Sequence, residues 1–204
     1  LLWPYDLRQD GDKGRSSRPS VAQVQQPLAA GWSEVAECAL LAGSMSSDAP
    51  RMLSYKRSHF ATQLPVDFRY SPSHAWMSRQ AERRWRVGLT KFATRMLGEI
   101  VDHGFQIDVG TPVEPGQIVG FIEGFKAISD LYCVATGRFL GGNPALKERP
   151  DLVNEDPFGA GWLYEIDGEP DPRSFDVHGY RGVLDQAIDK ILERRQDDRG
   201  NSEG

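Results

Sequence analysis

Residues 117–137 read QIVGFIEGFKAISDLYCVATG. The run QIVGFIEG (117–124) has the apolar, β-branched composition of a strand, and LYCVATG (131–137) reads as a strand returning beside it. Gly124 and Asp130 flank a short tip between the two. At that tip stands a lone basic residue, Lys126, with Phe125, Ala127 and Ile128 around it. Two readings of the lysine are open from this stretch. A lysine at a hairpin tip is solvated and discourages edge-to-edge pairing. Equally, an exposed amine on a rigid tip is what a modifying enzyme requires of an acceptor.

Outward from the tip, short apolar runs alternate with turn signals from Tyr70 onward. In RWRVGLT (84–90), Trp85, Val87 and Leu89 alternate as on a half-buried strand. TKFATRMLG (90–98) predicts a short helix. Thr90 is its N-cap, Phe92, Met96 and Leu97 share one face, and Gly98 closes it. EIVDHGFQIDVG (99–110) and RFLGGN (138–143) read as strands ending in turns, and WLYEI (162–166) as a last strand. NPALKERPDL (143–152) predicts one short helix that stops before Pro150. After Asp176, a good N-cap, the residues Val177, Tyr180, Leu184, Ala187, Ile188 and Ile191 follow helical spacing. Asp185, Asp189, Lys190, Glu193 and Arg194 fall mostly on the other side, and the tail from residue 196 is expected to fray. Many short strands with a few small helices predict a mainly β fold, a compact sandwich or flattened barrel.

Composition narrows the function classes. The chain has 204 residues, 39% of them hydrophobic and 26% charged, enough for one domain with a core. Its net charge is -5, so it will not hold nucleic acid or anionic lipid by bulk charge. No apolar run approaches the roughly 18 residues of a membrane helix. The two cysteines, Cys38 and Cys133, form no CxxC pair, which fits a reducing, cytoplasmic setting rather than a disulfide framework. Residues 1–60 differ from the rest: they are rich in Ser, Pro, Gly and Gln and lack sustained periodicity. They hold seven Lys/Arg and six Asp/Glu, so the remaining 144 residues carry -6. We expect a disordered tail, or sequence upstream of a start at Met45 or Met52, followed by a folded domain over residues 61–195.

Longer stretches resemble a known family, the glycine cleavage system H proteins. YSPSHAW (70–76) resembles the opening of that domain, with His74 and Trp76 in its H-x-W positions. VGLTKFATRMLGEIV (87–101) resembles its strand–helix–strand segment, and VEPGQIVGFIEGFKAISDLY (113–132) its lipoylation hairpin. NPALKERPDLVNEDPFGAGWLYEI (143–166) resembles the segment that follows, including Asn154, Glu155, Asp156, Pro157, Gly159, Gly161 and Trp162. The resemblance covers about half the chain and nearly all of its patterned part.

The resemblance implies a lipoyl-domain barrel-sandwich hybrid of two small antiparallel sheets, with short helices and a C-terminal helix. It implies lipoate in amide linkage on Lys126. Glu123, three residues before the lysine, and Gly110, sixteen before, match positions the lipoylating enzyme depends on; Asp130 completes the expected recognition set. The implied partners are glycine decarboxylase (P protein), aminomethyltransferase (T protein), dihydrolipoamide dehydrogenase (L protein) and a lipoate ligase or lipoyl transferase. The implied role is that of a carrier, not an enzyme. The chain departs from the family at Gly124, where a Ser is usual, at Cys133–Val134, where a Pro follows the start of the returning strand, and at Ala75, where a Glu precedes the Trp. The altered tip at Gly124, Cys133 and Val134 motivates an alternative: an H-like lipoate-binding carrier for another pathway, such as heterodisulfide-reductase-like sulfur oxidation or lipoate relay.

Two further residue types bear on chemistry. Cys133 is either a small buried hydrophobe or a thiol able to exchange with a lipoyl disulfide. His59, His74, His103 and His178 show no metal-ligand spacing with each other or with the cysteines. His74 reads as structural, paired with Trp76 in a packed corner. No Ser-His-Asp arrangement, P-loop or GxGxxG occurs.

Overall fold

The computed structural model describes the backbone of residues 50–200 and the side chains of residues 50–194. The expectations for residues 1–49 therefore lie outside the described residues. The boundary at residue 60 is corrected. An antiparallel hairpin of β1 (Met52–Arg57) and β2 (Phe60–Pro65) turns at Ser58, whose φ of 51° is left-handed. FATQLP carries the period of 2 that makes it a strand: Phe60, Thr62 and Leu64 point inward, and Ala61 and Gln63 outward.

All strand pairing is antiparallel among the described residues, in two unequal sheets besides that hairpin. One sheet runs β3 (Arg69–Tyr70), β4 (Ala75–Arg79), β5 (Arg84–Leu89), β11 (Tyr164–Pro170), β10 (Ala135–Gly142), β7 (Pro112–Val113). The other runs β6 (Ile100–Phe105), β8 (Ile118–Gly124), β9 (Ala127–Tyr132). The fold is thus mainly β, as expected, with three α-helices among the described residues: α1 (Lys91–Leu97), α2 (Leu152–Glu155) and the C-terminal α3 (Val177–Gly200). None of these is long and apolar enough to cross a membrane.

The sheets enclose one apolar cluster. Met77, Val87, Tyr164, Ile166 and Phe139 of the larger sheet face Ile100, Val119, Ile122 and Leu131 of the smaller, with Ala93 and Leu97 of α1 closing an end. A second cluster joins the β1–β2 hairpin to α3. Tyr55, Phe60 and Leu64 pack with Val177, Tyr180, Leu184 and Ile188, and with Tyr70, Trp76 and Phe92 between them.

Several local expectations change. LYCVATG is not one strand: β9 ends at Tyr132 and β10 begins at Ala135, because the chain leaves one sheet for the other at Cys133–Val134. The short helix expected in NPALKERPDL does stop before Pro150, but as a 3₁₀ turn, Pro144–Lys147, capped by the Asn143 side chain, which accepts from Ala145 N; α2 is a separate helix that starts only after Pro150, whose ring blocks continuation. Thr90 does occupy the N-cap of α1, but its hydroxyl meets the Tyr180 hydroxyl at 3.0 Å instead of capping the helix. Asp176 caps α3 as expected, accepting from Gly179 N at 2.7 Å. That helix continues to Gly200, past the expected fraying point, since no Gly or Pro interrupts residues 183–199. Asp185 and Asp189 are not on an idle solvated face: they bind Tyr55 and Arg57 of the hairpin.

Candidate functional site

Gly124 pairs with Ala127 at the end of the β8–β9 hairpin, so Phe125 and Lys126 alone make the tip. Two-residue hairpins usually rely on left-handed residues. Neither tip residue is left-handed. The tip is held from outside instead. Phe125 N donates to the Glu99 carbonyl and Lys126 N to the Leu97 carbonyl, both at 2.9 Å. Those carbonyls lie where α1 ends, at Gly98, whose φ of 88° makes the turn that presents them.

Asn154 fixes the same corner from behind. Its side-chain amide donates to the Gly98 carbonyl at 3.0 Å and its Oδ1 accepts from Ile100 N at 2.8 Å. Gly124 permits the close approach: a Cβ there would collide with the Leu97 carbonyl. The departure at residue 124 therefore has a local structural reason in this chain. The sequence contained Asn154 in a matching stretch, but nothing in its spacing revealed this bracing role.

Lys126 is exposed, yet its side chain is laid along α1. A Cβ on Gly98 would sit 3.1 Å from Lys126 Cγ, and Nζ reaches the Arg95 carbonyl at 3.5 Å. Around it the sheet register groups charges and apolar side chains on one face. Asp102 pairs with Glu123, Glu123 with Ile128, and Phe121 with Asp130. Glu123 and Asp130 thus share the face that leads to the tip. Phe125 and Ile128 are 76% and 68% exposed there, an apolar patch rimmed by acids.

Gly110 is not brought to the tip. It follows the far end of β6, where Phe105 pairs with Gly120, four residues of strand from Gly124 and so about 13 Å away along the sheet. It takes φ 88° with open space where a side chain would go, and its N–H donates to the Phe139 carbonyl at 2.7 Å. Its need for glycine is conformational.

Cys133 is 1% exposed and its thiol donates to the Ala135 carbonyl at 3.1 Å. Burial outweighs the nearby backbone hydrogen bonds and pushes the thiol up to about 11. A protonated, enclosed thiol is a packing residue, not an exchange partner. His74 is buried, and its described contacts are with residues far along the chain or on α1. Nδ1 lies 2.9 Å from the Tyr180 hydroxyl, and the ring packs on Phe92 at 4.5 Å. The Trp76 indole N–H is satisfied by the Leu89 and Pro157 carbonyls.

The structure is an antiparallel β-sandwich that presents one lysine on a braced two-residue tip. Its relatives share one family. The family described as "Glycine cleavage H-protein" matches residues 68–174. Among curated relatives, the glycine cleavage system H protein of Corynebacterium jeikeium is 42% identical over 108 residues, covering 52% of this chain and 84% of the relative. That of Cronobacter sakazakii is 32% identical over 127 residues, covering 61% of this chain and 98% of the relative. Among solved structures, the glycine cleavage system H protein of Mycobacterium marinum superposes with a TM-score of 0.53 at 31% identity, covering 58% of this chain and 97% of that one. The chain belongs to the glycine cleavage H-protein family.

Proposed function

We propose that Lys126 carries lipoate in amide linkage and that the chain is the non-catalytic carrier of the glycine cleavage system. The observation that carries this reading is the tip: an exposed lysine whose own backbone N–H and that of its neighbour are pinned to the end of α1. The residues suit the group. The amine is accessible, the tip is rigid, and the face beside it offers Glu123 and Asp130 as recognition points for a lipoate ligase or lipoyl transferase. Gly110 acts on that enzyme's recognition only through the loop it shapes. Once attached, lipoate supplies a redox-active dithiolane able to hold an aminomethyl group.

What the chain itself does is bind, orient and present. The α1 carbonyls fix the direction in which the lysine leaves the tip. Tethering raises the effective concentration of whatever Lys126 carries at each partner's site. In this reading the partners are the P protein decarboxylase that loads the carrier, the T protein aminomethyltransferase that unloads it, and the L protein dehydrogenase that restores it. Acylation removes the lysine charge and takes the formal net from -5 to -6. The acidic face then meets basic faces on those enzymes.

The test is glycine–bicarbonate exchange by a glycine decarboxylase, driven by this chain after intact mass has verified lipoylation. Lys126→Ala is the blank. Exchange well above the blank is expected. No exchange from fully lipoylated, folded protein would reject the glycine cleavage role and move the reading to a lipoyl carrier for another pathway.

A further inference from the structure

The segment RQAERRWR (79–86) holds four arginines in eight residues, and the carrier reading uses none of them. Alternation along β5 turns Trp85 and Val87 toward the core and Arg84 and Arg86 to the outer face of the larger sheet. The register sets Glu165 of β11 opposite Arg86. Glu165 is 5% exposed and lies between the two guanidiniums. Arg84 Nε donates to its Oε2 at 2.8 Å, and Arg86 Nε to its Oε1 at 2.9 Å. One buried carboxylate thus serves two cations. The Arg86 guanidinium also lies 4.8 Å over the Trp162 ring. It is pinned through Nε and held on that ring. Among the described residues it makes no other hydrogen bond, so its two Nη groups keep their donors unused.

Arg86 lines a pocket of about 350 Å³. Phe68, Trp76 and Phe158 form an aromatic wall there, with ring centroids 5.1 to 6.3 Å apart. Arg79, Ser78 and Gln80 add polar groups to the same pocket. Arg79 is folded back onto the Ala81 and Glu82 carbonyls at 3.2 and 2.8 Å. Asp67 lines the pocket too, but Arg51 takes that carboxylate at 3.1 Å. None of the lining residues belongs to α1 or to the β8–β9 hairpin, so the pocket is separate from the lysine tip.

Rings beside an unused guanidinium fork select a chemistry. The fork matches a carboxylate with two parallel N–H···O bonds, and a guanidinium already oriented loses little freedom in making them. The aromatic wall favours a flat apolar body next to that carboxylate. The volume is near the lower end for small-molecule sites, about 300 Å³, and suits a one- or two-ring ligand. Asp67 on the same pocket disfavours a doubly charged phosphate. We propose that this pocket is a second binding site, for a small aromatic carboxylate. The ring packs on Phe68, Trp76 and Phe158, and the Nη groups of Arg86 grip the carboxylate. The site works whether or not Lys126 is modified.

The experiment titrates the full, ¹⁵N-labelled chain with 2-naphthoate. The Trp76 indole N–H and Arg86 Nε–H signals are expected to shift saturably, with a Kd on the order of 1 mM. 2-Naphthamide, the same rings without the charge, is expected to bind about tenfold more weakly, and 2-naphthyl phosphate more weakly than the carboxylate. Arg86→Lys keeps the charge and removes the fork. It is expected to bring naphthoate down to the level of the amide and to leave the amide unchanged. Thermal melting checks that this variant stays folded, and the naphthoate–naphthamide comparison on the wild-type chain needs no variant. Three results overturn the site: no saturable shift at these two signals, equal affinity for naphthoate and naphthamide, or full naphthoate affinity in folded Arg86→Lys. Tighter binding of the phosphate overturns the assignment to a carboxylate.

Discussion

Lys126 and Gly124 are two residues apart and do opposite things. Lys126 faces outward and its removal leaves no hole; Lys126→Ala is expected to abolish lipoylation while shifting stability by no more than about 0.5 kcal/mol, read by mass spectrometry and urea titration. Gly124 faces the Leu97 carbonyl with no space for a Cβ. Gly124→Ser must push the tip off α1, at a cost of about 1–3 kcal/mol in unfolding free energy, and must slow lipoylation as the tip loosens. Unchanged stability and modification would mean that the end of α1 retreats freely, and that the tip is not braced as described. Cys133 is the residue whose chemistry the fold silences. Peptide mapping after iodoacetamide treatment is expected to find Cys133 unlabelled in the folded chain and labelled in urea, since the buried thiol is both enclosed and held protonated.

At the level of elements, the hairpin of β1 and β2 is held to α3 by two unlike contributions. Arg57 and its carboxylates are each about 40% exposed, so that network is worth little in water, and Arg57→Ala is expected to leave stability nearly unchanged. Phe60 is 7% exposed within an aromatic cluster, and Phe60→Ala is expected to cost about 3–5 kcal/mol. If urea titration ranked the two the other way, the hairpin would be an electrostatic appendage and not part of the core. Asn154 links elements in a different manner. By bonding Gly98 O and Ile100 N it ties α2 to the turn that presents the α1 carbonyls to the tip. Truncating it leaves both backbone groups without that partner, so the tip should loosen although Asn154 lies nowhere near it in sequence.

The whole molecule responds to acid through its buried histidine. Burial lowers His74 to about 4, against about 6.5 for an unfolded histidine. Between those values the unfolded chain binds a proton that the folded chain refuses, so stability is full above about pH 6.5 and falls as pH drops toward 4. The loss amounts to about 3 kcal/mol from this residue. His103 is also lowered by burial and adds in the same direction. Glu165 acts at lower pH. Burial opposes its ionisation, but hydrogen bonds from Arg84 and Arg86 prevail and hold the carboxyl below the usual range. Its contribution is present above the unfolded carboxylate value and is lost as pH falls through the folded one. His74 sits at a left-handed φ of 61°, which Asn tolerates. Thermal melts from pH 7 to 4 should therefore fall more steeply for the wild type than for His74→Asn. Parallel curves would remove His74 from the account.

The fold class and the lysine-bearing hairpin were legible in the chain itself, because both depend on local pattern. Alternation in RWRVGLT, the helix spacing after Asp176 and the isolated Lys126 between two apolar runs need no knowledge of distant residues. The hairpin of β1 and β2 was missed because its signal is short, FATQLP, and lies beside an unpatterned stretch. What tertiary structure alone decided are relations between residues far apart: Tyr180 as partner of His74, Arg57 against Asp185 and Asp189, and the Leu97 and Glu99 carbonyls, where α1 ends, as the support of the Phe125–Lys126 tip. It also decided that Gly110 lies away from the lysine while Met96 and Ile191 lie beside it. Spacing along a chain reports the period of a helix or strand, but long-range contacts follow from how elements close over a shared core, and that closure is a property of the packed whole.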